Sequence, residues 1–305
     1  MLDRKALAWF LGIAILFSWP LFLLTLVLPH SAPTPGQSLT TTALWALAMW
    51  GPGLAAIVTT VVILKRPFKS LNLNRLGPRR FYLWAWLLPV LLSIAGGLFT
   101  LLFGLAKLDT SFSMMREAMA STGGTLPAGL IVAIQAAFSI LLAPFINVLF
   151  TLGEELGWRG FLIPQLMPLG QRKAILISGA IWGLWHAPVI VQGLNYPGYP
   201  VAGIFMMIVF CVLLTAIFSW LYLNTRSPWT PALAHGAVNA IAGLPIFFFK
   251  PGFNMAFGGT LATFPAWIGM AIFIGWLIIS KRLPVESREA AQLPSPTPTA
   301  VPIGR

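Results

Sequence analysis

The chain has 305 residues, of which 58% are hydrophobic and only 9% charged, far below the roughly 25% charge of an ordinary soluble domain. Its 19 Lys and Arg against 7 Asp and Glu give a formal net charge of +12, but a soluble nucleic-acid-binding chain would carry more charge of both signs and fewer apolar runs, so no nucleic-acid partner is expected. The hydrophobicity excludes disorder, and the single cysteine, Cys211, excludes a disulfide framework or a Cys-based zinc site. What is left is an all-α, polytopic helix bundle whose solvent is the lipid bilayer.

A helix needs about 20 apolar residues to cross the hydrocarbon. Such stretches fall near 6–28, 41–64, 81–106, 128–152, 174–192, 201–223, 229–248 and 260–280, which predicts about eight spans. The first is followed by many others and so reads as a span rather than a cleaved signal peptide. Prolines and glycines punctuate the connections, among them Pro67, Pro78, Gly123, Gly170, Pro197 and Pro251. The fourth stretch is too long for one straight crossing: the chain stays largely apolar from Pro127 to Pro164. Either Pro144 kinks it, or the helix runs on past Glu155 and carries the glutamates deep. The bundle is assigned to residues 1–284, and the Pro/Thr/Ser-rich tail 285–305 reads as disordered.

With eight spans, alternate connections collect the basic residues. Arg4 and Lys5, the run Lys65, Arg66, Lys69, Arg75, Arg79 and Arg80, then Arg159, Arg172 and Lys173, Arg226, and the C-terminal Lys281, Arg282, Arg288 and Arg305 fall on one side. Only Lys107, Arg116 and Lys250 fall on the other. This asymmetry predicts cytoplasmic termini and a multi-pass protein of the cell membrane, and it assigns the net charge to topology and anionic lipid.

Ionisable groups inside a membrane are costly and mark function. Five of the seven acidic residues sit in ends or loops, whereas Glu154 and Glu155 are adjacent within FINVLFTLGEELGWRGFLIP. His186 in AIWGLWHAP and His235 in PALAHGAVNA are likewise embedded in apolar sequence, with Asn239 one helical turn beyond His235. Glu155 and Arg159 are also one turn apart, placed to form an ion pair. A carboxylate and two imidazoles from three helices, meeting where water is scarce, suit general-base attack of water on an amide, with a His and an Asn amide donating to the oxyanion. Taken singly, each has a plainer explanation: a structural ion pair, histidines and Asn239 as interhelical hydrogen-bonding groups, and Trp182 and Trp185 as packing. Their concentration in three short segments favours one shared site.

At these residues the chain resembles the CPBP family, the CAAX proteases and bacteriocin-processing enzymes, relatives of the Ras-converting endopeptidase and of ABI-type proteins. The family's three motifs read here as Glu154-Glu155-Leu-Gly-Trp-Arg159, Trp182-Gly-Leu-Trp-His186 and His235-Gly-Ala-Val-Asn239, in the family's order and spacing. The resemblance covers about 128–245, and Trp182 stands where the family usually has Phe. It implies an intramembrane endopeptidase acting on a membrane-associated protein or peptide. Glu154 would activate water with help from His186, His235 and Asn239 would hold the oxyanion, and Glu155 with Arg159 would support the first motif. The family has also been described as metalloproteases. A zinc ion on Glu154, His186 and His235 is thus a second possibility, though no HExxH pair is present and a metal-free site is favoured. Other classes are a non-proteolytic immunity or scaffold protein that keeps the motifs as a polar network, a haem held by the two histidines, and a transporter with Glu154 as proton relay.

Overall fold

The computed structural model describes residues 2–27, 39–121 and 123–285. They form helices α1 (Arg4–Val27), α2 (Leu39–Ala48), α3 (Gly51–Val58), α4 (Arg80–Leu102), α5 (Ser113–Ala120), α6 (Ala128–Leu141), α7 (Ala143–Glu155), α8 (Ile163–Leu166), α9 (Gln171–Trp185), α10 (Ala187–Ile190), α11 (Pro200–Thr225), α12 (Trp229–Ile241) and α13 (Phe264–Ile279). Among the described residues the only β contact is an isolated bridge between Leu108 and Phe249, so the fold is all-α. The tail expected at 285–305 lies outside the described residues except for Val285.

The sequence builds each outer helix with one inward stripe. In α1 the buried residues are Ala6, Phe10, Ala14, Ser18, Phe22 and Thr25, spaced by one turn, so small and aromatic side chains line a single face. The opposite faces of the outer helices expose Leu16 on α1, Leu83, Leu91 and Leu98 on α4, and Ile134 on α6. In water such a surface would drive association; against lipid tails, as apolar as leucine, it carries no penalty. The chain is a polytopic membrane protein. At the centre runs α11, in which every residue from Leu214 to Leu223 is buried.

Among the described residues, five segments are long and apolar enough to cross a membrane: Arg4–Val27, Leu39–Ile63, Arg80–Leu102, Pro200–Thr225 and Trp229–Phe248. A sixth is obtained if the bent pair Ala128–Leu141 and Ala143–Leu169 counts as one crossing. The remaining two expected spans are shorter helices: α13 has 16 residues, and α9 has 15 and stops at His186.

The ambiguity of the fourth stretch is resolved here. The helix breaks at Leu142 (φ −119°, ψ −47°) and bends by 49°. Pro144 sits in the first turn of α7, where a missing N–H costs no helical bond. Past Glu155 the helix continues as a π-helical turn, Leu156–Leu162. Arg159 therefore does not belong with the loop charges that set topology: it is fully buried inside the bundle, because Glu155 compensates it there.

Two pairs of glycines, each one turn apart, let the motif-bearing helices approach their neighbours. A Cβ on Gly153 would lie 2.8 Å from Trp50 Cα and one on Gly157 would lie 2.4 Å from Pro52 Cβ, so the Glu154–Glu155 turn is seated against the start of α3. On α9, a Cβ on Gly179 or Gly183 would come within 2.6 Å of Val212 Cα or 2.4 Å of Ile208 Cα, which seats α9 on α11. These are small-xxx-small contacts of the kind that bring membrane helices together by backbone approach.

The connection after α4 is held by a carboxylate. Asp109 accepts from the Ser111 backbone N–H at 2.9 Å, the Ser111 hydroxyl at 2.6 Å and the Ser113 backbone N–H at 2.6 Å, and these bonds, led by those from the serines' side chains, hold its carboxyl below the ordinary carboxylate range. A depressed pKa contributes stability above the unfolded-state value, about 4, and loses it as pH falls through the lower folded-state value. Hydrogen exchange at the Ser111 and Ser113 amides should therefore accelerate only in strong acid, well below about pH 4, and Asp109→Asn should show the faster exchange already at neutral pH.

Candidate active site

Adjacent residues leave a helix about 100° apart, so Glu154 and Glu155 face different surroundings. Both are buried, at 1% and 0% exposure. Glu154 faces a cavity of about 970 Å³ whose wall also includes Trp182, His186, Cys211, His235 and Asn239. The four sequence-predicted catalytic residues thus line one space, drawn from α7, the α9–α10 junction and α12. The cavity extends to Leu47 on α2 and Phe150 on α7, both exposed on the outer surface. Glu155 and Arg159 do not line it; they form the layer behind.

The Glu154 carboxylate is held by two indoles. Its Oε2 accepts from Trp182 Nε1 at 2.6 Å and from Trp158 Nε1 at 3.3 Å. Trp182, expected as a supporting residue of the site with packing as the plainer reading, does both: its ring packs, and its N–H supplies the shorter of the two bonds that compensate a carboxylate taken out of water. Trp158 was missed altogether. The signal was its position one turn beyond Glu154, which puts both on one helix face.

Behind this carboxylate lies a second, fully enclosed network. Arg159 donates from one terminal nitrogen to Glu155 Oε1 at 2.9 Å and from the other to the Thr215 hydroxyl at 3.1 Å. Its guanidinium also lies against the rings of Trp182 and Phe218, 4.2 and 5.0 Å from their centres, cation–π contacts strengthened by desolvation. Thr215 and Phe218 come from α11 and belong to none of the three motifs, so nothing in the sequence marked them.

The same Glu155 oxygen lies 3.0 Å from Nδ1 of His235, and His186 Nδ1 lies 2.8 Å from the Trp182 carbonyl oxygen. A carboxylate and a carbonyl can only accept, so each histidine carries its proton on Nδ1 and has Nε2 available. For His235 to donate through Nε2 it must carry both protons, the form in which its contact with Glu155 is an ion pair. Asn239 is exposed at the cavity wall.

The zinc alternative finds no support in the donor set. Among the described residues no group of three or more His, Cys, Asp or Glu side chains is gathered as a metal-binding cluster. Glu154 is engaged by indoles, and His235 faces Glu155.

A family model described as Type II CAAX prenyl endopeptidase Rce1-like matches residues 134–241, about a third of the chain. Over that segment the chain is similar to the CPBP family of CAAX proteases. No curated protein matches it. The matched segment contains α7 to α12 with all three motifs, and together with the buried Glu–His pair of Glu155 and His235 the match supports an intramembrane protease.

Trp182 stands where the family it resembles usually has Phe, and the departure is testable. Trp182→Phe keeps an aromatic ring over Arg159 but deletes the 2.6 Å bond to Glu154. A hydrogen bond to a charged group contributes about 1.5–3 kcal/mol, so kcat/KM for peptide hydrolysis should fall roughly ten- to a hundred-fold with little loss of thermal stability. Unchanged kinetics would show that Trp182 acts by packing alone.

Proposed function

We propose that this protease hydrolyses its substrate with water activated by Glu154. Water is held between Glu154 and His186; Glu154 takes a proton as the oxygen bonds to the scissile carbonyl carbon. The negative oxygen is met by His235, in its doubly protonated form, and by the Asn239 amide. Collapse breaks the C–N bond, and Glu154 returns the proton to the leaving nitrogen. Glu155 and Arg159 act through His235, fixing its tautomer and the tilt of its ring.

The observation that carries this reading is the convergence of Glu154, His186, His235 and Asn239 on one cavity wall. The finer topology belongs to the same proposal: eight crossings, both termini cytoplasmic, residence in the cell membrane, and a membrane-associated protein or peptide as substrate. The basic asymmetry of the connections supports it.

A second assignment of roles is favoured by one distance, the 3.0 Å contact of Glu155 with His235. In it His235, oriented by Glu155, takes the proton from water through Nε2, and Glu154 only binds. Glu154→Gln and Glu155→Gln, purified in detergent and assayed on a fluorogenic peptide, separate the two. Greater loss in Glu154→Gln supports the first; greater loss in Glu155→Gln, at unchanged melting temperature, supports the second.

A further inference from the structure

The connection 65–80 joins two segments each long and apolar enough to cross the membrane, Leu39–Ile63 and Arg80–Leu102, and so sits at a bilayer surface. It reads KRPFKSLNLNRLGPRR, with six basic residues and no Asp or Glu. Lys65, Arg66, Lys69, Arg75, Arg79 and Arg80 are all exposed. Arg226, exposed in the short turn between α11 and α12, joins them, because the two connections touch. Trp229 Nε1 donates to the Leu73 carbonyl at 2.8 Å, and a Cβ on Gly77 would lie 2.7 Å from Thr225 Cα. Among the described residues none of these seven cations is ion-paired; the salt bridges there are those of Glu155 with Arg159 and His235.

The connection is fixed in place. Leu71 is buried in the core, Asn72 turns the chain at φ 59°, and the Tyr82 hydroxyl donates to the Leu76 carbonyl at 2.8 Å. Held this way, it turns two large apolar side chains outward among the cations: Phe68 is 49% exposed and Leu76 64%. Both lie outside the crossing segments, so contact with the hydrocarbon core does not account for them. Cations beside apolar side chains match a lipid in both its parts, phosphate for the one and the acyl boundary for the other. A soluble acidic peptide would meet the charge but leave Phe68 and Leu76 in water.

We propose that the connection 65–80, together with Arg226, is a headgroup site for anionic phospholipid, with Phe68 and Leu76 set into the acyl boundary. It localises to one ordered surface an attraction that net charge alone would spread over the whole chain, and it stands independently of the proteolytic reading.

The test titrates the purified full chain, in neutral detergent micelles, with phosphatidylglycerol or with phosphatidylcholine of the same acyl chains, and reads retained lipid by native mass spectrometry. Phosphatidylglycerol should bind at least about tenfold more tightly, since each Lys or Arg near an anionic surface strengthens binding several-fold. Combining Lys65→Gln, Arg66→Gln, Lys69→Gln and Arg75→Gln should bring the two affinities together at unchanged melting temperature. Removing the same charge elsewhere, with Arg4→Gln, Lys5→Gln, Lys281→Gln and Arg282→Gln, should keep the preference. Equal loss in both sets means a diffuse field and overturns the proposal, as does a preference that survives in the first set. Phe68→Ser with Leu76→Ser, at constant charge, should weaken phosphatidylglycerol binding several-fold; unchanged affinity overturns the insertion of the two side chains. If the first quadruple variant does not fold, the unmodified chain decides: its preference should shrink as salt rises from about 0.05 to 0.5 M, because exposed charges are screened, and a salt-independent preference overturns the site. Displacement of the lipid by an equal concentration of hexaglutamate or inorganic phosphate would reassign the surface to soluble anions and likewise overturn it.

Discussion

Replacing Glu154 by alanine is expected to abolish peptide hydrolysis while leaving the fold intact. General acid–base catalysis by a positioned group supplies roughly a hundred- to ten-thousand-fold in rate, and in the proposed mechanism Glu154 serves twice, as base and then as acid. The loss should appear in kcat, because the residue acts on the transferring proton rather than on substrate binding. Glu154→Gln is the cleaner variant: its amide oxygen can still accept the Trp182 and Trp158 N–H groups seen at 2.6 and 3.3 Å, so expression and melting temperature should match the unmodified chain. Activity retained in both variants would remove Glu154 from the chemistry. It would also revive the scaffold reading if the biological effect persisted too.

Arg159→Ala should instead unfold the protein's centre. Arg159 is wholly buried and holds Glu155 at 2.9 Å, while the second Glu155 oxygen has no hydrogen-bond partner. Deleting the cation leaves a buried carboxylate with His235 as its remaining partner, and breaking a buried pair from one side costs about 3–5 kcal/mol. The measurement is thermal or denaturant unfolding in detergent. Arg159→Lys should recover little, since a single ammonium cannot donate to Glu155 and Thr215 in a fixed fork while lying against the Trp182 and Phe218 rings. The double variant Arg159→Met with Glu155→Gln should regain much of the stability, because no charge is then left unpaired. Its activity should stay low, since His235 has lost the carboxylate that orients it. A stable, active Arg159→Ala would mean that the network behind the cavity is dispensable.

How far the site could be read from residues alone varies position by position. Glu154, Glu155, Arg159, His186 and His235 announce themselves, because ionisable side chains in apolar sequence need a reason to be there. The Glu155–Arg159 pair follows from helical spacing. The roles of the two glutamates do not. Neighbours on a helix diverge by about 100°, and only the packing of α7 against α3, through Gly153 and Gly157, decides which one meets the cavity and which one meets Arg159. Trp182 was legible as a supporting residue from its motif position, but its bond to Glu154 was not, since an indole's polar atom shows no pattern in sequence. Thr215 and Phe218 gave no signal because α11 is apolar along its length and any of its faces could have turned inward.

By itself, then, the amino-acid sequence determined the solvent, the helical class and the chemical groups at stake: hydrophobic runs of crossing length and isolated charges within them are local properties. The bend at Leu142, the π-helical turn after Glu155, and the two-layer division into a cavity wall with Glu154, His186, His235 and Asn239 and an enclosed Glu155–Arg159 pair behind it were decided only by tertiary structure. Each depends on which helix faces are pressed together, and that is set by contacts between residues far apart in the chain.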